Sequence, residues 1–374
     1  MATATATPIS RRTLLAAGSL VALAAPHVAR ASVACGNDSR LCELLDRAGR
    51  DDSNTHAALI QRGAVTLAEA YFTGQDRPSG AWFSRRVEFG PQVLHDLRSV
   101  SKSVVGLLVG IVLAQGRLGG LTRPVFDFFP EHADLLDELR RKLTLRHLLD
   151  MTPGWDWDET NLSYADPRNS ESRMGRAGDP VRHVLELPLV APPGTKWEYC
   201  GGATMLLAEI LERTTGRPLA ALAQEMLFAP LGVAQFEWRK DARGKALAFS
   251  GLRLTPRDLA RIGRLRLAKG QWAELADRVD RAVLPEAWVT ETFTPRQPAW
   301  DGFRYGAQWW HGPFAQGPGS GIPWVSAWGN GGQRLFVVPS LHLVVVVTAG
   351  RYNEPNNGRA SNRIFRRTLE MLTT

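Results

Sequence analysis

The sequence predicts an α+β fold. A mixed or antiparallel sheet is built from both chain ends and flanked by helices, and a mainly helical domain is inserted between the two halves. Three observations carry this expectation. Val65 to Phe72 alternates apolar and polar residues and stops near Gly74, the pattern of a half-buried strand. Near the other end, Leu335 to Val338 and Leu343 to Thr348 flank Pro339-Ser340 and read as a hairpin of two buried strands, with Ile364 to Leu372 as a closing helix. Between them, 104–115, 143–150, 181–187, 204–215 and 256–267 repeat apolar residues at helical spacing, separated by loops rich in Gly, Pro and Trp.

Taken in order, the first 31 residues read as an export signal rather than as part of the fold. Arg11 and Arg12 precede an apolar stretch of 13 residues ending at Ala25, and Ala29-Arg30-Ala31 offers small residues around a cleavage point. The stretch is shorter than the roughly 20 residues that span a bilayer. Paired arginines before a mildly apolar core resemble a twin-arginine signal, so a periplasmic or secreted protein is expected, with no stable membrane span once the signal is cut. Residues 32–60 then form an N-terminal segment, residues 61–95 with 250–374 the α/β domain, and 96–249 the helical domain. Cys35 and Cys42 can pair in an oxidising compartment or stay as free thiols, and Cys200 is left over.

Composition narrows the function classes. The chain has 374 residues, 45 basic and 37 acidic, for a net charge of +8. Arg11, Arg12 and Arg30 account for three of these charges, leaving +5 on the mature chain. The remaining basic residues are scattered, with no run longer than Arg140-Arg141-Lys142, which speaks against a nucleic-acid partner. No Cys/His set has zinc spacing, and nothing calls for a cofactor. The run Val104 to Ala114, all apolar or Gly, is long enough for a buried helix but not for a membrane span.

Chemistry enters at three places. Ser99-Val100-Ser101-Lys102 opens the apolar helix. Three residues make about one turn, so both functional side chains share a face. A serine at a helix start meets free N–H groups and the positive dipole end, which suit an oxyanion. A lysine desolvated there is expected to have a lowered pKa and to activate the hydroxyl. Next, Pro193-Gly194 leads to Tyr199, a phenol that a nearby cation can stabilise as a phenolate base. Finally, Trp328-Gly329-Asn330-Gly331-Gly332-Gln333 enters a strand whose backbone N–H groups, at Ser99 and Gln333, can form an oxyanion hole while the glycines admit substrate along the edge. Of the histidines, His147 reads as a helix residue bonded to backbone, and neither His95 nor His342 lies in a Gly-x-Ser-x-Gly setting. Trp155, Trp157, Trp309, Trp310, Trp324 and Trp328 divide between core and cleft roles.

Together these segments resemble the serine β-lactamase and penicillin-binding family, in its class C-like branch. The nucleophile stretch His95 to Ser103, the block Leu143 to Gly154, and Gly251 to Leu259 extend the likeness over roughly residues 60–370. The resemblance implies catalysis by Ser99, Lys102 and Tyr199 through an acyl-enzyme on a small ester, amide or peptide. Two positions depart from it. Gly201 stands where the family has Asn, and Asn330 with Gly331 stands where a cation and a hydroxyl are usual. Loss of the cation argues for esters and amides over β-lactams or D,D-peptides, unless Arg334 or Arg351 replaces it. The same departures leave room for a binding protein that has lost catalysis.

Overall fold

The computed structural model describes residue 1, residues 32–272 other than 37 and 52, and residues 282–373. The export signal expected over residues 1–31 therefore lies, Met1 apart, outside the described residues. Strand β1 (Ser32–Cys35), helix α1 (Ser39–Arg50) and strands β2 (Thr55–Arg62), β3 (Val65–Tyr71), β4 (Thr73–Asp76), β5 (Arg85–Glu88) and β6 (His95–Asp96) come first. The helical stretch follows as α2 (Val100–Ala114), α3 (Leu145–Leu149), α4 (Ser170–Arg176), α5 (Pro180–Leu185), α6 (Gly201–Thr215) and α7 (Leu219–Ala223). The chain returns through β7 (Glu237–Trp238), β8 (Leu252–Leu254), α8 (Pro256–Leu267), α9 (Glu286–Thr292), β9 (Gln297–Pro298), β10 (Arg304–Gly306) and β11 (Trp309–His311). It ends with β12 (Val325–Gly329), β13 (Gln333–Val338), β14 (Leu343–Ala349) and α10 (Arg359–Thr373).

Nine of these strands form one sheet in the order β1-β3-β2-β14-β13-β12-β11-β10-β9. Every pairing in it is antiparallel. The two chain ends meet where β2 pairs with β14, Leu59 opposite Val346. The 32–60 segment is thus part of the sheet layer, and the boundary drawn at residue 60 falls inside β2.

Period-two alternation splits the sheet's side chains between two cores. Leu59, Leu335, Val337, Val344 and Val346 pack with α2, α6, α8 and α9. Ala58, Ile60, Phe336, Val338 and Val345 pack with α1 and α10 through Leu41, Leu45, Ile364, Phe365 and Leu369. Each fully buried Leu or Phe here contributes on the order of 1.5–3 kcal/mol. Cys35 and Cys42 are disulfide-bonded, which ties β1 to α1, and Cys200 is free and buried.

Helix α2 is buried almost throughout, as its unbroken apolar run requires. Gly110 admits the Trp288 ring of α9, which a Cβ would meet at 2.0 Å, and Trp288 Nε1 donates to the Gly106 carbonyl at 3.0 Å. No described helix is long and apolar enough to cross a membrane. The expected helices are all present, α8 with the expected ends and the others with shifted ones. α3 is the shortest, because Thr144 caps it through a reciprocal pair with His147, whose Nδ1 accepts from the Thr144 N–H at 3.2 Å. Helices α1, α4, α7 and α9 and the two small sheets, β4-β5 and β6-β8-β7, have no counterpart in the sequence expectation. Strands of two to four residues are too short to show a period.

Candidate active site

The nucleophile segment is a sharp entry into α2. Arg98 sits at φ 50°, a conformation that costs a non-glycine residue free energy, and its surroundings hold it there. Its N–H donates to Asp96 Oδ1 at 3.2 Å, its guanidinium donates to the Arg77 carbonyl at 2.9 Å, and it stacks on Tyr352 with 4.4 Å to the ring centre. Ser99 follows as the N-cap of α2, and its side chain makes no capping bond, so Oγ stays available. Lys102 Nζ, 1% exposed, donates to Ser99 Oγ at 3.0 Å and to the Phe249 carbonyl at 3.2 Å. Tyr199 lies across from it, the ammonium 4.7 Å from its ring centre. The fold therefore brings together the serine, amine and phenol that the sequence singled out.

Their protonation differs from expectation. Burial does pull the Lys102 pKa down, but the pull of Tyr199, Glu159 and Glu171 around it outweighs burial, and the net shift is upward. Burial pushes the Tyr199 phenol up as well, the attraction of Lys102 notwithstanding. The expected lowered lysine and phenolate base are both corrected. The amine rests as an ammonium and Tyr199 as a phenol.

Glu159 and Glu171 are what the sequence did not reveal. Glu159 Oε1 lies 3.7 Å and Glu171 Oε2 3.8 Å from Lys102 Nζ. Glu159 Oε2 accepts from Trp157 Nε1 at 2.8 Å and from the Gly201 N–H at 2.6 Å. A Cβ on Gly201 would meet Glu171 Oε2 at 2.6 Å and Glu159 Oε2 at 3.1 Å. The missing side chain at Gly201 is the space into which the two carboxyls fit. That glycine, standing where the family has Asn, was the one signal in the sequence that lysine's surroundings had changed.

The cleft over Ser99 has a volume of about 710 Å³ and is walled by Tyr164, Tyr199, Trp300, Trp310, Trp328 and Arg334. Trp310 and Trp328 stack with ring centres 4.6 Å apart, while Trp155, Trp157, Trp309 and Trp324 are core residues. Asn330 lines the cleft but is tied down. Its Nδ2 donates to Asn353 Oδ1 at 2.8 Å and its Oδ1 accepts from the Asn353 N–H at 2.7 Å. Gly331, Gly332 and Gln333 are not among the residues that line the cleft. Gly331 takes φ 93°, and a Cβ there would meet Tyr352 at 2.4 Å. The Gly332 carbonyl accepts from Ser361 Oγ at 2.7 Å, and the Gln333 side-chain amide bonds the backbone of Ala349. Arg351 pairs with Glu354 at 2.6 Å and does not line the cleft. Arg334 does line it. It is buried, donates to the Gly329 carbonyl at 3.1 Å and the Gln333 carbonyl at 2.9 Å, and burial lowers its pKa to about 9.

A nucleophilic serine one helical turn from a buried ammonium, with a phenol alongside, is the constellation of one family of hydrolases, and residues 47–367 match the β-lactamase family model. The chain belongs to the β-lactamase family. It is 31% identical to the 6-aminohexanoate-dimer hydrolase of Paenarthrobacter ureafaciens, over 82% of this chain and 75% of that one. It is 33% identical to esterase EstB of Burkholderia gladioli, over 48% of this chain and only 43% of that one. Among solved structures, EstCE1, a hydrolase with promiscuous acyltransferase activity, superposes with a TM-score of 0.69 at 18% identity, over 89% of this chain and 99% of that one. This β-lactamase-family chain is a serine hydrolase, with the antiparallel sheet and flanking helices of that fold.

Proposed function

We propose that this serine hydrolase cleaves a small ester or amide through an acyl-enzyme on Ser99. The observation that carries the reading is the 3.0 Å hydrogen bond from Lys102 Nζ to Ser99 Oγ at the open N-terminus of α2. Ser99 attacks the carbonyl carbon, its proton passes to the Lys102 side, and the free N–H groups at the helix start face the developing oxyanion. Tyr199, resting as a phenol, protonates the departing oxygen or nitrogen. Water then releases the acyl group by the reverse transfers. The amide-cleaving and ester-cleaving relatives support this substrate class.

β-Lactams fit less well. Asn330 is neutral and bonded to Asn353, so it supplies no charge to a substrate carboxylate, and Gly201 supplies no side-chain amide. Losing one charged hydrogen bond costs roughly 1.5–3 kcal/mol. A second reading, hydrolysis of carboxylate-bearing β-lactams or peptides, is favoured by Arg334, the arginine that walls the cleft. The test compares kcat/KM for p-nitrophenyl butyrate and nitrocefin, with fluorophosphonate labelling of Ser99. Labelling with preferred ester turnover is expected. Nitrocefin better by about tenfold or more, a gap of roughly 1.4 kcal/mol, would install the second reading. Absence of both label and turnover would leave a binding protein of the same fold.

The protein is also proposed to be exported by the twin-arginine route, on the strength of Arg11, Arg12 and the Ala29-Arg30-Ala31 site. Mass spectrometry of periplasmic protein is expected to show Ser32 at or near the N-terminus, and a mature chain that retains residues 1–31 would refute cleavage.

A further inference from the structure

With Lys102 resting as an ammonium and Tyr199 as a phenol, neither can accept the Ser99 proton as it stands. The acceptor has to come from what surrounds the lysine. Beside Nζ stand two carboxyl oxygens, Glu159 Oε1 at 3.7 Å and Glu171 Oε2 at 3.8 Å. Both are buried and neither has a hydrogen-bond partner. The Glu159 side chain is 0% exposed and the Glu171 side chain 12%. Gly201 shapes their berth, and its N–H holds one end of Glu159.

We infer that Glu159 and Glu171 form a carboxyl pair that shares one proton and receives, through Lys102, the proton that Ser99 gives up on acylation. The inference rests on Ser99 being the nucleophile and goes on to assign where its proton is stored. The charges balance. Before attack, Lys102 carries +1 and the pair, with one proton, carries −1. As the Ser99 oxygen bonds to the carbonyl carbon and its O–H bond breaks, Lys102 passes one N–H proton to the pair and takes the serine proton in its place. Lys102 remains an ammonium, the pair becomes neutral, and the new negative charge sits on the former carbonyl oxygen. When the tetrahedral adduct collapses, Tyr199 gives its proton to the leaving group, and the pair restores that proton by way of Lys102. The two glutamates touch no reacting atom, so they are positioning residues that act on Ser99 through Lys102.

The surroundings favour a single proton on the pair. Burial first, then the charge of Glu159, pushes the Glu171 carboxyl up to about 8, against the pull of Lys102 and Arg98. Burial likewise raises Glu159, opposed by Lys102 and by the Gly201 and Trp157 hydrogen bonds. The other ionisable groups facing them are Tyr164 on the same loop, Tyr199 and Cys200 before α6, and Tyr305 on β10, all pushed up by burial and therefore neutral at these pH values. Above about pH 8 the pair loses its remaining proton. The site then carries net negative charge, which opposes formation of the oxyanion.

The test is the pH profile of kcat/KM for p-nitrophenyl butyrate. Wild type is expected to lose activity as pH rises through about 8. Glu171→Gln mimics the protonated acid. It is expected to lose that alkaline limb. Glu159→Gln combined with Glu171→Gln removes both acceptors and should fall on the order of 100-fold at every pH. Should Glu171→Gln fail to fold, Glu171→Asp keeps a carboxyl, and its alkaline limb is expected to move. An alkaline limb unmoved in the folded Glu171 variant, or a folded double variant as active as wild type, overturns the inference. Fluorophosphonate labelling of the same preparations separates the two claims. Full labelling with an unmoved limb removes only the carboxyl pair, whereas an unlabelled wild type removes the Ser99 nucleophile and the pair with it.

Discussion

Ser99 and Tyr199 carry different burdens for different leaving groups. Replacing Ser99 with Ala removes the atom that forms the acyl bond, so turnover of any substrate should fall on the order of 10³–10⁶-fold with the fold intact. Tyr199→Phe discriminates more finely. A p-nitrophenolate departs without a proton, whereas an amide nitrogen does not. Tyr199→Phe should therefore reduce amide hydrolysis by on the order of 10²–10⁴ and p-nitrophenyl ester hydrolysis by less than about tenfold. Equal losses on both substrates would show that Tyr199 acts in the attack step instead. The reason for assigning it to departure is the direction of its shift, upward by burial, which keeps the proton on the oxygen.

At the level of elements, the site depends on how closely the start of α6 approaches the loop that carries Glu159 and the helix that carries Glu171. Gly201 is the contact point. A Cβ there would stand 2.6 Å from Glu171 Oε2, so Gly201→Ala must push that carboxyl away from Lys102. The expected cost is about 1–3 kcal/mol in urea unfolding, the usual price of overpacking a filled site. The alkaline limb should shift with it, because the displaced carboxyl no longer feels Glu159 and Lys102 in the same way. A variant as stable as wild type, with an unmoved limb, would show that the helix start can retreat. Both halves of the constellation were within reach of the sequence to unequal degrees. Ser99 and Lys102 lie one turn apart, so local geometry places them together. Glu159 and Glu171 reach Lys102 across a gap of more than fifty residues, and no period or motif marks them.

The whole molecule should also be acid-sensitive for a reason visible in its layers. His56 on β2 stacks on Phe89 at 3.9 Å, and Phe89 stacks on His95 at 4.5 Å, so this stack joins the sheet to the nucleophile segment. Burial lowers the His56 pKa to about 4, against the hydrogen bond to the Gln75 carbonyl. The fold therefore prefers the neutral ring, while the unfolded chain takes up a proton below about 6.5. This contribution to stability is fully present above the unfolded value and declines as pH falls from there to about 4, by roughly 3 kcal/mol for this residue. Melting temperatures at pH 7 and pH 4.5 should show the loss, and His56→Gln should lower stability at pH 7 while shrinking the difference between the two. An undiminished difference in that variant would assign the acid loss to other groups.

Period and spacing along the chain determined the two-ended sheet, the buried helix behind Ser99 and the serine–lysine pair, because each depends on residues a few positions apart or on apolar runs long enough to repeat, whereas Tyr199 joined the set only through the family resemblance. Only the tertiary structure decided the charge on Lys102. Desolvation alone would have lowered its pKa, as the apolar helix suggested, but folding brings Glu159 and Glu171 within 4 Å of it, and paired charges in a buried site outweigh burial. The same holds for Arg334 and Asn330. Both line the cleft, yet Asn330 is fastened to Asn353 at 2.8 Å while the buried Arg334 guanidinium is held by the Gly329 and Gln333 carbonyls, and these hydrogen bonds form only once folding brings the segment around Asn353 against the β12–β13 turn.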